Sequence, residues 1–307
     1  MRCAVIDLGT NTFHLLVAEH DDQQPWQTVL KERRYIKMAE QGIHRIGPAA
    51  FERGIQALRH FKQELDAAGV PPERVRAIGT AALRTAENAA DFVSEVQQQT
   101  GIRAEVISGD REAELIYKGV RQAVPFPDEG RVLIMDIGGG SVEFILADRE
   151  KVFWQKSFPI GVAVLFQRFQ HSDPIAEAEI QAEENYLDAA LAELWAALGR
   201  WPAVALVGAS GTFDVIDNFL LDPTAKPLLY GYTTRAALDP LCDMFIKSTL
   251  AERHAMPLLA PERVEMIVAA IILIRVVLQK AALNDIYTSA YAMKEGMLEE
   301  LAAQVFK

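Results

Sequence analysis

Two glycine-bearing turns in the chain carry residue types suited to binding phosphate. The first reads Asp7-Leu-Gly-Thr-Asn-Thr12, the second reads Asp136-Ile-Gly-Gly-Gly-Ser141, and each follows an apolar segment of strand length. Such turns present backbone N–H groups and hydroxyls to phosphate oxygens, and a carboxylate at a strand end suits a hydrated Mg²⁺ ion. The phosphate-binding candidates are Gly9, Thr10, Asn11, Thr12, Gly138, Gly139, Gly140 and Ser141.

An ordinary hairpin turn is the alternative for both segments, because Asp, Gly and Asn are common in turns. This alternative is weaker for the second turn, since three consecutive glycines cost chain entropy and are expected where the backbone approaches a ligand closely. A strand follows this turn and no Lys-Ser/Thr pair does, which excludes a Rossmann fingerprint and a P-loop. The recurrence of Asp-x-Gly after about 130 residues favours a pair of related sites.

Three further side chains could take part in acid–base or metal chemistry. Glu143 lies just past the second turn, where it could hold a metal together with Asp136 or simply face solvent from a strand. Glu112 lies where a helix is predicted to begin, so it is a candidate general base or a residue that favours the helix dipole. Arg84 follows a predicted strand and could clamp a phosphate, although a surface arginine is the alternative.

A third loop, Gly208-Ala-Ser-Gly-Thr212, leads from a predicted strand into a helix. Amides at a helix N-terminus bind anions, which makes Gly208, Ser210 and Gly211 phosphate-binding candidates. A simple N-cap is the alternative for this loop. A basic run from Lys31 to Lys37 is either a cation cluster or the charged, protected edge of a sheet.

These residues are positioned by strands that alternate with helices, which predicts an α/β protein. The repeated turn predicts two similar halves. We place domain I at residues 1–118 together with a C-terminal helix at about 291–307, and domain II at residues 119–290.

Composition restricts the partners. The net charge is −11, so a nucleic-acid backbone is not expected as the main partner, and a polyanion would need a local cation cluster, backbone amides and a metal. The longest apolar run, residues 266–274, covers about half of a bilayer, so no membrane partner is expected. Cys3 and Cys242 lie far apart in the chain, which favours a reducing, cytoplasmic location.

The turns, together with Gly79-Thr-Ala-Ala-Leu-Arg84, Ile107-Ser-Gly-Asp-Arg-Glu-Ala113 and the third loop, resemble the exopolyphosphatase / guanosine pentaphosphate phosphohydrolase (Ppx/GppA) family. Five motifs occur in the family's order between Ile6 and Thr212, and the C-terminal third is similar more loosely. The resemblance implies an actin-like ATPase fold of two similar domains with a cleft between them. It also implies Mg²⁺-dependent hydrolysis of a terminal phosphoanhydride.

The resemblance also implies roles for individual residues. Glu112 matches the glutamate that activates water, and Arg84 matches the arginine that holds the phosphate of the chain. Asp136, Gly138 and Glu143 match the metal and phosphate loop, and Asp7 matches the first phosphate loop. The metal candidates are therefore Asp7, Asp136 and Glu143, and the catalytic candidates are Glu112 and Arg84.

The chain departs from the family pattern at several places, one of which is the segment after Arg263, where Val264-Glu265 and Ala269-Ala270 replace the usual Ala-Asp pair and a later glycine. Where many relatives carry Asn-Glu-Glu-Ala, it has Asp110-Arg-Glu-Ala113, so the glutamate is kept and its neighbour changes sign. The late motif Ser-Asp-x-x-Leu-Arg-Glu-Gly is replaced by Ser289-Ala-Tyr-Ala-Met-Lys-Glu-Gly296. The C-terminal HD-type domain of the long forms is not expected, which favours short polyphosphate chains as substrates.

Three functions remain open on the sequence. The first is a hydrolase acting on polyphosphate, with pppGpp as the alternative substrate. The second is a non-hydrolysing sensor of (p)ppGpp or polyphosphate, and the retained carboxylates argue against it. The third is a kinase of the same fold, for which no second-substrate base is evident. A homodimer is a hypothesis motivated only by the looser match of the C-terminal third.

Overall fold

The computed structural model describes residues 1–21, 24–221 and 229–305 of the chain of 307 residues. It contains two compact units, of which unit 1 comprises Met1–Leu115 and Met293–Lys307, and unit 2 comprises Ile116–Ala292. The last two residues of the helix predicted at about 291–307 lie outside the described residues.

Unit 1 is built on one mixed five-stranded sheet. Its elements are β1 (Arg2–Leu8), β2 (Thr12–Asp21), β3 (Gln24–Tyr35), α1 (Pro48–Ala67), a short 3₁₀ helix (Pro72–Arg74), β4 (Val75–Gly79), α2 (Ala81–Thr85), α3 (Ala89–Thr100), β5 (Ala104–Val106) and the first half of α4 (Gly109–Ala123), whose residues from Ile116 onwards belong to unit 2. The strand order is β3-β2-β1-β4-β5. Strands β1, β2 and β3 form an antiparallel meander, and β4 and β5 run parallel to β1.

Unit 2 is built on a six-stranded sheet with the order β10-β11-β9-β6-β7-β8. The elements are β6 (Val132–Ile137), β7 (Val142–Ala147), β8 (Val152–Phe158), α5 (Val162–Phe169), α6 (Glu177–Ala190), α7 (Ala192–Arg200), β9 (Ala205–Ala209), α8 (Gly211–Leu220), β10 (Tyr230–Thr234), α9 (Arg235–Lys247), α10 (Leu250–His254), α11 (Ile267–Lys280) and β11 (Asp285–Ser289). The chain then enters α12 (Met293–Val305), which packs on β1 within unit 1.

The two sheets share one topology. Strands β6, β7 and β8 form an antiparallel meander, and β9 and β11 run parallel to β6, as β4 and β5 do to β1. Strand β10 is an addition at the edge, antiparallel to β11. The prediction of an α/β protein with two similar halves is therefore confirmed.

Each sheet has a hydrophobic core of its own. In unit 1, alternate residues of β1 such as Ile6 and Leu8 pack with Phe61 of α1 and Phe92 of α3. In unit 2, α11 is buried from Ile267 almost to its end, and it forms the centre of the core. The apolar run predicted as a buried helix is thus part of a core, and no described helix is both long enough and apolar enough to cross a bilayer.

The parallel strands of unit 1 bring three chain segments to one edge of the sheet. Strands β1, β4 and β5 lead into the first glycine turn, into α2 and towards α4, respectively. In unit 2, β6 and β9 lead in the same way into the second glycine turn and into α8. Ligands of α/β sheets bind outside the carboxyl ends of the strands, and the candidate residues of each unit lie on segments that follow these ends.

Candidate functional site

The two glycine turns have matching backbone geometry. A Cβ atom on Gly9 would lie 2.8 Å from the carbonyl oxygen of Thr12, and one on Gly138 would lie 2.9 Å from that of Ser141. Real Cβ atoms do not approach backbone that closely, so glycine is required at the third position of both turns. The repeat seen in the sequence is therefore a structural repeat.

The first turn is anchored to the segment that follows β3. The carbonyl of Asn11 accepts hydrogen bonds from the amides of Ile36 and Lys37 at 2.8 and 3.0 Å, and the carbonyl of Thr10 accepts one from Met38 at 2.7 Å. These bonds hold the turn in place and bring Lys37, the last member of the basic run, next to it. Lys37 has a left-handed φ of 54°, which costs free energy in a non-glycine residue and marks a constrained backbone.

The basic run itself lies on β3, which is the edge strand of its sheet. Asp7 is opposite His14 on β2, and His14 is opposite Arg33 on β3, so the three side chains share one face of the sheet. The edge-protection interpretation is compatible with this position. The row also links the strand carboxylate to the basic run, a relation that the sequence did not show.

Arg84 and Glu112 form a direct pair within unit 1. Nη1 of Arg84 donates to Oε2 of Glu112 at 3.1 Å and to the carbonyl of Ile107 at 3.0 Å. Glu112 is only 8% exposed, so its carboxylate is poorly screened by water, and a charge-assisted bond of this kind is worth about 1.5–3 kcal/mol. The structure thus joins the two residues predicted as catalytic, although 28 positions separate them.

The surroundings of Arg84 differ from the prediction in one respect. Arg84 was expected in the loop ahead of a helix, but it lies inside the short helix α2, where its amide donates to Thr80. Beside it is a cavity of about 440 Å³, which is lined mainly by apolar residues of α2, α3 and β5 and also by Ser108. Both hydrogen bonds of Arg84 use Nη1. Among the described residues, Nε and Nη2 have no hydrogen-bond acceptor, so both atoms can donate to a ligand.

In unit 2, Asp136 and Glu143 lie directly opposite each other on β6 and β7. They are 7% and 1% exposed. Oε1 of Glu143 accepts from the hydroxyls of Ser141 at 2.7 Å and Ser157 at 2.6 Å, and Oδ1 of Asp136 accepts from Ser210. Glu143 is therefore not the solvent-facing strand residue that the sequence left open.

Opposed carboxylates of this kind fit a hard divalent cation. Like charges directly across a strand pair are destabilising, and burial makes the repulsion larger, so a cation between or beside them would offset it. Carboxylate and hydroxyl oxygens are also the donors that Mg²⁺ prefers. The residues present at Asp136 and Glu143 therefore suit Mg²⁺ chemically.

The backbone of the second turn is held by the start of α5. The amides of Val162 and Ala163 donate to the carbonyls of Gly138 and Gly139 at 3.0 and 2.9 Å. A Cβ atom on Gly161 would lie 2.4 Å from the carbonyl oxygen of Gly139, so the helix can approach only because residue 161 is glycine. The start of α5 thus fixes the backbone of the second turn.

The third loop contains a strained serine. Ser210 has φ 72° and ψ 176°, a region that is essentially restricted to glycine, and its hydroxyl donates to Asp136. Gly208 lies inside β9, where the ring of Phe213 occupies the space of a Cβ atom at 2.0 Å. This contact explains Gly208 by packing, and its role in phosphate binding stays a prediction.

The structure adds two residues that sequence reasoning missed. Ser157 on β8 supplies the second hydroxyl to Glu143. The guanidinium of Arg263 lies against Gly211, where a Cβ atom would be 1.9 Å from Nη2. Arg263 lies in the C-terminal third, where the family resemblance is loose, and nothing in its local pattern indicated that it contacts the third loop.

One other group of possible metal ligands occurs in the described part of the chain. Glu32, His60 and Glu64 place one ligand atom each within 4.8 Å of one another. Nη2 of Arg34 binds Oε1 of Glu32 at 2.6 Å, and Nε2 of His60 lies 2.9 Å from both oxygens of Glu32. These contacts form a polar network between β3 and α1 that includes none of the candidate residues of the glycine turns.

Solved structures with this architecture are known. A crystal structure of an exopolyphosphatase from Cytophaga hutchinsonii is 35% identical, with a TM-score of 0.94 over 99% of this chain and 98% of that one. The Aquifex aeolicus member of the Ppx/GppA family is 25% identical, with a TM-score of 0.83 over 100% of this chain and 99% of that one. This chain therefore shares its α/β fold with these solved structures, as the family resemblance implied.

Curated relatives carry a nucleotide-directed name. A guanosine-5'-triphosphate,3'-diphosphate pyrophosphatase from Vibrio vulnificus is 30% identical over 309 residues, which is 98% of this chain and 59% of that protein. The enzyme of the same name from Aeromonas hydrophila is 29% identical over 304 residues, 96% of this chain and 58% of that protein. This chain thus spans somewhat over half the length of these relatives. The model of the Ppx/GppA phosphatase family matches residues 16–304, and the chain belongs to that family.

Proposed function

We propose that this chain is a Mg²⁺-dependent phosphoanhydride hydrolase that releases the terminal phosphate of polyphosphate. The observation that carries the proposal is the Arg84–Glu112 pair. A buried carboxylate held at 3.1 Å by a guanidinium that keeps further N–H groups for a ligand is suited to a water-activating base beside a bound phosphate.

Each residue has a distinct part in the proposed reaction. Arg84 donates to an oxygen of the terminal phosphate and holds the carboxylate of Glu112 in place. Glu112 accepts a proton from a water molecule whose oxygen attacks the terminal phosphorus. The bond from that phosphorus to the bridging oxygen breaks, and the electron pair leaves with the shortened chain. The products are inorganic phosphate and polyphosphate one unit shorter.

The glycine turns supply the remaining electrostatic stabilisation. Amides of Gly9–Thr12 in unit 1 and of Gly138–Ser141 in unit 2 are proposed to bind phosphate oxygens, as are those of Ser210 and Gly211. Asp136 and Glu143 are the carboxylates of unit 2 that we propose to hold Mg²⁺, and Asp7 is the metal ligand that we propose within unit 1. When bound, Mg²⁺ would neutralise charge on phosphate oxygens.

Polyphosphate is the first choice of substrate because the similar exopolyphosphatase structure matches over nearly the full length of both chains. The alternative is pppGpp, whose 5' end presents the same kind of terminal phosphate. It is favoured by the name of the curated relatives from Aeromonas and Vibrio, which are longer than this chain.

The test is release of inorganic phosphate by the purified full chain with Mg²⁺, using polyphosphates of several lengths and pppGpp at equal concentrations of terminal phosphate. We expect Glu112→Gln to lower kcat by about 10²–10⁴-fold, because the amide cannot accept the proton. Glu114→Gln is the matched control, since Glu114 lies in the same helix and its side chain is 49% exposed. Equal rates for wild type and Glu112→Gln would overturn the role of the base.

Two other outcomes would replace the proposal. Binding of polyphosphate or (p)ppGpp without phosphate release would identify a sensor. Consumption of ATP only in the presence of a phosphate acceptor would identify a kinase.

A further inference from the structure

Glu300 on α12 binds two arginines from two other elements of unit 1. Nη1 of Arg76 donates to Oε2 of Glu300 at 2.8 Å, and Nη2 of Arg111 donates to the same oxygen. The side chain of Glu300 is 12% exposed, and those of Arg76 and Arg111 are 20% and 32% exposed. A carboxylate shared by two guanidinium groups at this depth is screened much less than a surface ion pair.

The two arginines belong to the elements that supply the proposed catalytic pair. Arg76 is on β4, whose carboxyl end leads into α2 and Arg84. Arg111 is in the first turn of α4, directly before Glu112. Glu300 therefore connects β4 to α4, while the direct bond between Arg84 and Glu112 connects α2 to α4.

We infer that Arg111 and Glu300 are positioning residues, which hold the first turn of α4 so that Glu112 faces Arg84 in the reactive geometry. The inference rests on the proposed function of Glu112. The first turn of a helix lacks intrahelical partners for its amides, so it shifts easily unless side chains secure it. Here Ser108 contributes a backbone acceptor for Glu112 and a hydroxyl acceptor for the amide of Arg111, at 3.0 and 3.2 Å. The bond from Arg111 to Glu300 additionally ties this turn to α12.

Arg111 is the cation next to the proposed base, and Glu300 on α12 is an acidic residue that binds it. A glutamate at position 111 would repel Glu300 instead of binding it.

The second contact of Arg111 provides an internal control. Its Nη1 donates to Oε2 of Glu114 at 2.7 Å, one turn further along the same helix. That bond joins α4 only to itself, so its loss leaves the connection to α12 intact. Glu114→Gln should therefore leave kcat unchanged, whereas Glu300→Gln should not.

The experiment is a double-mutant cycle on the full chain, with polyphosphate and Mg²⁺. We expect Glu300→Gln and Arg111→Gln each to lower kcat about tenfold with KM changed less than about twofold, because a small misplacement of the base slows the chemical step more than binding. The double variant should be no slower than Arg111→Gln, and Arg111→Lys should recover part of the rate. Additive losses, a change confined to KM or an unchanged kcat in Glu300→Gln would overturn the inference.

A second measurement separates this inference from the proposed function. Amide hydrogen exchange of residues 109–115 should become faster in Glu300→Gln and in Arg111→Gln, and should not change in Glu114→Gln. It needs no activity, so it tests the anchoring of α4 even if wild type releases no phosphate. Unchanged exchange in Glu300→Gln would overturn the anchoring of α4. If, in that case, the wild type still hydrolyses polyphosphate and Glu112→Gln is inactive, the proposed function is retained.

Discussion

Replacing Glu183 by methionine should stabilise unit 2, and the gain should depend on pH. Glu183 is on α6 between Ile180 and Leu187, in the apolar stripe of the helix, and is fully buried. Neither carboxylate oxygen has a hydrogen-bond partner within the described residues. Burial first, and then the charge of Glu184, raise the pKa of Glu183 to about 8.

The size of the effect follows from this pKa. An unfolded chain releases the proton near pH 4.5, whereas the folded chain keeps it until about pH 8. Below pH 4.5 the carboxyl group is protonated in both states, and its contribution to the free energy of unfolding is fully present. As the pH rises from 4.5 towards 8, the unfolded chain is ionised while the folded chain is not, so this contribution is lost. At pH 7 the loss is about 3 kcal/mol, and at pH 9 it reaches about 5 kcal/mol. Methionine has a similar shape and does not titrate, so Glu183→Met should recover these amounts.

The assay is urea or thermal unfolding of wild type and Glu183→Met at several pH values between 5 and 9, followed by circular dichroism. For a domain of this size, 1 kcal/mol corresponds to about 2–4 °C, so the melting temperature at pH 7 should rise by about 6–12 °C. Glu177→Met is the matched control, because Glu177 begins the same helix and is exposed.

A stability difference between Glu183→Met and wild type that does not grow between pH 5 and pH 8 would refute this reasoning. It would mean that Glu183 is already ionised in the folded protein, with its charge compensated by water or by movement of α6. A difference of the same size in Glu177→Met would point instead to the overall charge of the chain.

Three further changes test the site and its surroundings. Gly161→Ala should abolish phosphate release by displacing the second glycine turn, because the new Cβ atom would meet the carbonyl of Gly139 at 2.4 Å. A phosphate-release assay measures the activity, and a crystal structure of the variant shows whether the turn has moved. Ser210→Gly should remove backbone strain of about 1–3 kcal/mol but also the bond to Asp136, so we expect stability to be kept while apparent Mg²⁺ affinity measured by kinetic titration changes. Burial raises the pKa of Asp217 to about 6, although the hydroxyl of Thr288 donates to the carboxylate and lowers this pKa. Thr288→Val should therefore raise the pKa further, which an NMR titration of the carboxyl group would measure.

Two of these changes have a matched comparison variant, and each of the three has a result that would contradict it. Gly199→Ala is the control for Gly161→Ala, since a Cβ atom at Gly199 meets nothing within 4 Å. Normal activity in Gly161→Ala would mean that the second turn tolerates displacement. For Ser210, the alanine variant loses the hydroxyl and keeps the strain, so equal metal titrations for all three residues at position 210 would exclude a role for the hydroxyl. An unchanged titration of Asp217 in Thr288→Val would show that the hydroxyl does not favour the charged carboxylate.

The site was predictable to the extent that it is encoded locally. Asp7 and Asp136 end strands and begin turns whose third residue must be glycine, and a short window of sequence contains all of that information. The placement of Arg84 in α2 was missed because a five-residue helix has no apolar periodicity that distinguishes it from a loop. Gly208 was grouped with the phosphate loop because the sequence does not show the ring of Phe213 that fills its missing Cβ position.

Strand and helix alternation, the repeated Asp-x-Gly turns and the acidic composition were determined by the sequence alone, because each depends on residues that are neighbours in the chain. Only the tertiary structure decided which side chains meet. Arg84 reaches Glu112 across 28 positions, and Arg111 reaches Glu300 across 189, because parallel strands bring distant segments to one edge and α12 packs on β1. Such contacts depend on how helices pack on a sheet, and no local pattern of charges or apolar residues specifies that packing.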